Sequence, residues 1–358
     1  MRPPKFVSMF LLTTTLATLA IQTSAAPAPV PAETEPEAVG QWFLDPEAGT
    51  AEYDFSLRIS LKKGHESWSS RDVTLDQLEG LTEEQVKGRS VPVAFQVKRD
   101  AGTVVARGSI TRGKGAGTFE LTLDPAFATE LQRRGVGRPT HLQHLQLLVG
   151  DVSLGFLDEL RALRYPTPDV ELLIRCVHHG VDHRFVSGLN GLGVRLDSIE
   201  QLIKARDHGV DPRFIRGMQE AGYRDLEFEQ LLRARDHGAD PEYVAWMRRL
   251  GFAPLPIEEL IRARDHGVDP EYVRGMESAG FRRLPLEHLV KARDHGVDGE
   301  FVASMQGAGY PDLTLEQAIR ARDHGVDARF AERARRRLGE KPTLEELIRI
   351  RDRGGWPD

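Results

Sequence analysis

The heptapeptide Ala205-Arg-Asp-His-Gly-Val-Asp211 returns almost unchanged at Ala234–Asp240, Ala263–Asp269, Ala292–Asp298 and Ala321–Asp327, each copy 29 residues after the last. Weaker copies stand at Cys176–Asp182 and, cut short, at Ile350–Gly354. A fixed period between 20 and 50 residues is the signature of stacked structural repeats, each burying its apolar face against the next. This one feature excludes most folds open to a 358-residue chain.

Each unit is readable as two short helices. Ser198 and Gln201, Thr314 and Gln317, and Thr343 and Glu346 have the spacing of capping boxes, which open a helix by satisfying its free N–H groups. Ile199, Leu202 and Ile203 then line one face, as do Leu286, Leu289 and Val290 in a later unit. Gly209 ends the helix, because glycine tolerates the left-handed conformation that follows a helix, and Val210 supplies the apolar contact behind it. Asp211-Pro212 opens the second helix, with Phe214, Ile215 and Met218 on its buried side, and Gly222 closes it. Helices of about ten residues are marginal alone in water, so they must gain stability by stacking. The last unit departs from the pattern: Leu338 stands where glycine is expected, Gly339 comes one residue late, and Arg353 replaces the histidine.

The chain before the array has a different texture. Arg2 and Lys5 precede an apolar run from Phe6 to Ile21, and Thr23-Ser24-Ala25 supplies small residues, the pattern of a secretory signal over residues 1–25. The run is shorter than the roughly 20 residues of a membrane-spanning helix, so no stable span is expected after cleavage. Residues 26–40, rich in Pro, Ala and Glu, read as an extended linker. Over residues 41–125, Tyr53, Phe55, Leu57, Ile59 and Leu61 alternate with polar residues, and Val91, Val93, Phe95 and Val97 do the same, as half-buried strands do. Asp100-Ala-Gly102 reads as a hairpin turn into Thr103–Ile110, and Phe119, Leu121 and Leu123 make a further strand. Thr82-Glu-Glu-Gln85 adds a capping box for one short helix. Asp124-Pro125 opens a helix that leads into the array over residues 126–358. The expected fold class is therefore α+β, a small antiparallel β domain followed by an α-helical solenoid.

A net charge of −6 offers no general attraction to nucleic acid, and a single cysteine excludes an internal disulfide framework. The array carries a basic row, among it Lys204, Arg233, Arg262, Lys291 and Arg320, but each follows a glutamate by four residues, the favourable spacing for an ion pair along one helix. No nucleic-acid partner is expected. Arg333, Arg335, Arg336 and Arg337 form a denser basic patch, read as a solvated helix face.

The repeated polar residues are the candidates for chemistry. His208, His237, His266, His295 and His324, with His179 before them, form a row that suggests metal binding or pH sensing. The local alternative is favoured: each lies in the last turn of a helix, where a donor satisfies free carbonyls. Stacked helices stand about 10 Å apart, too far for neighbouring imidazoles to share one ion. Asp207, Asp236, Asp265, Asp294 and Asp323 oppose the helix dipole and need compensation. The preferred partners are the adjacent-unit arginines, Arg206, Arg235, Arg264, Arg293 and Arg322, in a ladder that holds the repeats in register. Cys176 replaces the alanine of the other copies and reads as an inert core thiol.

Catalytic motifs fail on inspection. Gly108–Gly115 nearly matches a phosphate-binding loop, but Gly115 stands where Ser or Thr is needed and a strand follows. His65-Glu66 begins a zinc-protease pattern, yet position 69 is serine. No catalytic residue and no cofactor is expected.

The stretch Leu260–Val273 resembles short helical repeats found behind bacterial membrane metallopeptidases of the antibiotic-sensor type, and similar repeats occur in standalone exported bacterial proteins. Val93–Phe127, with Arg99-Asp-Ala-Gly102 and Gly113-Lys-Gly-Ala-Gly-Thr-Phe119, looks like the domain that often precedes them. The peptidase part has no counterpart here. The resemblance implies an extracytoplasmic sensing or docking module.

The expectation is a periplasmic or secreted, non-catalytic scaffold that binds another protein or a cell-envelope component. The outward positions that vary between repeats are Arg213, Arg216, Arg224, Glu242, Arg248, Arg249, Glu271, Arg274, Arg282 and Arg283, and the contact surface is expected there. Two alternatives are a metal or pH sensor built on the histidine row, and an envelope hydrolase with its site in the β domain.

Overall fold

The computed structural model describes residues 38–47, 49–61, 65–252 and 254–354. The signal segment, most of the linker, and the side chains of His65 and Glu66 lie outside the described residues. The architecture is α+β, an antiparallel sheet followed by an array of short helices.

Six strands form the sheet: β1 Ala38–Pro46, β2 Tyr53–Leu61, β3 His65–Val73, β4 Val91–Arg99, β5 Gly102–Thr111 and β6 Lys114–Leu123. Their order is β3-β2-β1-β6-β5-β4, and every pairing is antiparallel. Helix α1, Glu83–Lys87, lies in the connection from β3 to β4 and opens with the expected Thr82–Gln85 capping box. Four strand spacings of about 4.8 Å separate β2 from β4 along the ladder, about 19 Å if the sheet were flat. Yet the rings of Phe55 on β2 and Phe95 on β4 have centroids 5.9 Å apart, so the sheet curls tightly around its core. Trp42 fills that core, edge-on to Phe95 at 5.0 Å. A Cβ added at Gly108, Gly115 or Gly117 would meet the Trp42 indole, so the glycine-rich β5–β6 hairpin exists to seat it. The near-match to a phosphate loop is that hairpin, turned by Arg112 (φ 51°) and Gly113 (φ 87°).

Two strands differ from the expectation. β1 begins inside the stretch read as linker, and β3 carries one large apolar residue among serines and charges. Neither offers a long alternation; pairing with β2 and β6 makes them strands, not their own pattern.

The chain divides into two compact units, the first ending at Asp211 and the second spanning Pro212–Asp358. The division falls inside the repeat array, not at the change in composition. In the first unit follow α2 Pro125–Arg133, α3 His141–Val149, α4 Leu154–Ala162, α5 Val170–His179, α6 His183–Gly191 and α7 Ile199–Asp207. Side chains from the sheet tie these helices to it. Arg99 donates to the carbonyls of Leu148 and Val149 at 2.8 and 2.9 Å, and Arg71 donates to that of Gly150. Two guanidinium groups thus satisfy the free carbonyls at the negative end of α3. Arg99 is buried; its Nε lies 3.4 Å from Asp151 Oδ1 without hydrogen-bond geometry. Burial pushes Arg99 below its ordinary value, Asp151 opposes this, and Arg71 adds to it. Buried His144 on α3 donates from Nε2 to the Ala101 carbonyl at 2.9 Å.

The second unit holds α8 Pro212–Glu220, α9 Phe228–Asp236, α10 Pro241–Arg249, α11 Ile257–Asp265, α12 Pro270–Ser278, α13 Leu286–Asp294, α14 Gly299–Gly307, α15 Leu315–Asp323, α16 Ala328–Leu338 and α17 Leu344–Asp352. Within each unit a helix packs on the helix two along: α3 on α5, α5 on α7 and α4 on α6 in the first, α8 on α10, α9 on α11, α12 on α14, α14 on α16 and α15 on α17 in the second. That is one repeat stacked on the next. Asp240, Asp269, Asp298 and Asp327 cap the second helices through the N–H three residues on, at 2.7–2.8 Å. The first helices end as expected. Val297 N donates to Ala292 O at 2.8 Å and Gly296 N to Arg293 O at 2.9 Å, with Gly296 left-handed at φ 67°. The late glycine of the last repeat lengthens α16 by two residues, to 11, and ends it at φ 75°. Among the described residues, no helix is long and apolar enough to cross a membrane.

Candidate functional site

The repeated motif is a set of bonds between repeats. Each first helix ends Ala-Arg-Asp-His-Gly, which points its side chains in fixed directions. The alanines Ala205, Ala234, Ala263, Ala292 and Ala321 are fully buried. Cys176 takes the same buried place in the first copy, and burial pushes its thiol up to about 12.

Asp207, Asp265, Asp294 and Asp323 do not pair with the adjacent-unit arginines as the sequence suggested. Their partner is the histidine of the preceding repeat. His179 Nδ1 lies 2.6 Å from Asp207 Oδ1, His237 2.6 Å from Asp265, His266 2.5 Å from Asp294, His295 2.7 Å from Asp323 and His324 2.7 Å from Asp352. Each imidazole donates across the stack to a carboxylate that would otherwise only oppose its own helix dipole. These pairs are half-exposed, so each contributes modestly, about 0.2–1 kcal/mol.

The arginines turn the other way. Arg206 covers the ring of Phe185 at 5.3 Å, Arg235 that of Phe214 at 5.3 Å, and Arg264 that of Tyr243 at 5.1 Å. Arg293 covers Tyr272 at 4.8 Å, Arg322 Phe301 at 5.0 Å and Arg351 Phe330 at 5.1 Å. In each case the ring belongs to the second helix of the preceding repeat. The guanidinium also lies against the left-handed glycine there; a Cβ at Gly267 would sit 3.3 Å from Arg293 Nε. A planar cation suits both surfaces, and a ring face adds about 0.5–1 kcal/mol at a partly exposed site.

A third row was expected within each helix and instead crosses between repeats at two points. Arg233 meets Glu258 at 2.7 Å, and Arg320 holds Glu345 bidentately at 2.6 and 2.9 Å. Buried tyrosines add a fourth link: Tyr243 donates to Val268 O at 2.9 Å and Tyr272 to Val297 O at 3.2 Å. Burial raises both phenols above their ordinary range.

A signal for the histidine pairing was present in the chain and was missed. Aspartate occupies its position from Asp207 to Asp352, and histidine occupies its own from His179 to His324. The two rows are equal in length but displaced by one repeat. Position 178, one repeat before Asp207, is histidine; position 353, one repeat after His324, is arginine. Rows that begin and end one step apart are what a bond from one repeat to the next requires.

Among the described residues, no three histidines of the row bring their ring nitrogens within 4.8 Å of one another. Among the described residues, the one cluster whose possible ligand atoms all lie within 4.8 Å of one another is Glu47 and Glu52, in the β1–β2 connection, with Asp72 on β3. The ten residues expected at a partner surface, Arg213, Arg216, Arg224, Glu242, Arg248, Arg249, Glu271, Arg274, Arg282 and Arg283, are all exposed, and all belong to the second unit. Two of them have local roles. Arg274 Nε donates to the Pro270 carbonyl at 3.0 Å, and Arg248 lies over Gly222.

No protein-family model, no curated protein and no solved structure matches this chain.

Proposed function

We propose that this protein is a non-catalytic scaffold that binds another protein or a cell-envelope component through the exposed side of its second helices, and that it works after export, in the periplasm or outside the cell. One observation supports this reading above others. The polar side chains that recur along the array are committed to bonds between repeats, whereas among the described residues the exposed positions that change from repeat to repeat, Arg248 over Gly222 apart, carry no such bond. Stacked repeats present extended surfaces suited to a macromolecular partner. The apolar, small-residue-terminated opening of the sequence is the ground for export.

The test is capture from periplasmic extract and medium with the purified chain, beside a variant carrying Arg248→Glu, Arg249→Glu, Arg282→Glu and Arg283→Glu. A partner retained by the first and lost by the second supports the reading. A partner retained equally by both places the surface elsewhere, and a protein that cleaves or transforms what it captures ends the non-catalytic reading.

A further inference from the structure

The ladder has a missing rung at its start, and a cleft stands there. Aligned on the repeat, position 150 should carry the donating histidine and is glycine; position 178 should carry the accepting aspartate and is histidine; position 177 should carry the arginine and is valine. A Cβ at Gly150 would collide with Val177, so no side chain fits at position 150 while Val177 packs there. The space is a cleft of about 440 Å3, lined among others by Ser70, Arg71, Gln146, His178, Asp182 and Arg206.

The charges in it do not balance. The carboxylate on its wall, Asp182, is already used: it accepts from Arg71 at 3.2 Å and caps α6 through Phe185 N at 2.9 Å. Arg71 is spent on Asp182 and on the Gly150 carbonyl. Arg206 rests on the Phe185 ring and His178 is exposed; among the described residues neither has an ion-pair or hydrogen-bond acceptor. A guanidinium, an imidazole and an amide thus face a space with no free anion, while the Ser70 hydroxyl on the same wall is already given to Asp54.

We propose that this cleft is a binding site for a carboxylate ligand, which takes the acceptor's part in the incomplete rung. Every complete rung seats one carboxylate on one imidazole Nδ1 at 2.5–2.7 Å, so the chemistry is the chain's own, supplied from outside. Arg206 adds the charge-assisted donor. A doubly charged phosphate fits less well, because the Asp182 carboxylate stands on the wall with a single uncompensated guanidinium. The volume admits a carboxylate with a short carbon chain, the size of an acidic side chain. This site does not depend on the scaffold reading, since none of its residues is among the variable positions.

The experiment is a titration of the full chain followed by the histidine ring resonances. The probes are acetate, N-acetylglutamate amide, N-acetylglutamine amide and inorganic phosphate. The expected result is a saturable shift of the His178 resonances with the two carboxylates and none with the glutamine compound, while the ladder histidines stay in place. His178→Gln and Arg206→Gln should each weaken acidic-probe binding, read by calorimetry, about tenfold or more. His178→Gln alone is decisive if the Arg206 variant folds poorly, because His178 is exposed and unpaired. No saturable shift, tighter binding of phosphate than of either carboxylate, or unchanged affinity in His178→Gln each overturns the proposal. Shifts shared equally by the glutamine compound overturn it as well.

Discussion

His237 donates from Nδ1 to Oδ1 of Asp265 at 2.6 Å, joining two repeats through residues 28 apart in the chain. Both side chains are half-exposed, so the pair is a register device more than a large source of stability. A double-mutant cycle on His237→Ala and Asp265→Ala should give a coupling of about 0.2–1 kcal/mol, weaker at high salt. Urea denaturation of the four proteins measures it. If Arg264, not His237, were the partner of this carboxylate, the cycle would read zero.

Arg322 lies 5.0 Å from the centre of the Phe301 ring and against the glycine that ends α13. Arg322→Ala should cost about 0.5–1 kcal/mol through the ring face, with further loss from the contact on Gly296. In a Phe301→Leu background the ring part of that cost should vanish. Thermal unfolding of the two single variants and the double variant separates the two parts.

Two glycines of α14 predict opposite outcomes. A Cβ at Gly299 would fall well inside contact distance of the Gly275 carbonyl oxygen, so α12 and α14 approach there backbone to backbone. Gly299→Ala must push the two helices apart and should destabilise by about 1–3 kcal/mol. Gly307 is exposed, has nothing within 4 Å of an added Cβ, and needs no unusual φ. Gly307→Ala should stabilise by about 0.4–1 kcal/mol by restricting the unfolded chain. Paired melting curves decide both.

Cys176 should ignore alkylating reagents in the native state. It is fully buried, and burial pushes its thiol up to about 12, so the reactive thiolate is scarce at neutral pH. Iodoacetamide labelling should therefore appear only with unfolding. Cys176→Ala should cost no more than about 1 kcal/mol, since five other repeats close the same space with alanine.

The parts of this molecule that were legible in its sequence are those governed by local chemistry. Gly296 and its equivalents end helices because few other residues accept φ near 67°, and Asp298 and its equivalents start them by capping a free N–H. Both follow from the chain within a few residues. Strand β3 was not legible, because its pairing to β2, not its own alternation, holds it. The ladder was half legible. The repeating polar residues were picked out as the ties between repeats, but Asp265 was matched with an arginine on the ground of opposite charge. Arg264 sits one position away from it, yet a helix turns neighbouring side chains about 100° apart. That turn carries the guanidinium onto the Tyr243 ring and leaves the carboxylate facing His237.

Glu130 gives an acid-dependent brace to Arg134, the residue that links the end of α2 to α4. It accepts from Arg133 at 2.6 and 2.7 Å and from Arg134 at 2.7 Å, and Arg134 also donates to Asp158 on α4. The hydrogen bonds from Arg133 and then Arg134 hold its carboxyl at about 2, below the ordinary 4.5, although burial opposes them. A carboxylate whose folded value is depressed stabilises fully above its unfolded value, and that contribution is lost as the pH falls through the folded one. The contribution should therefore be whole above about pH 4.5, shrink as the pH falls, and disappear below about pH 2. Other carboxylates titrate over the same range, so the stability of the protein alone cannot show this. The difference between the protein and Glu130→Gln can: the two curves should run apart at pH 6 and converge as pH 2 is approached. A constant separation across that window would mean that the glutamate acts through its shape and not its charge.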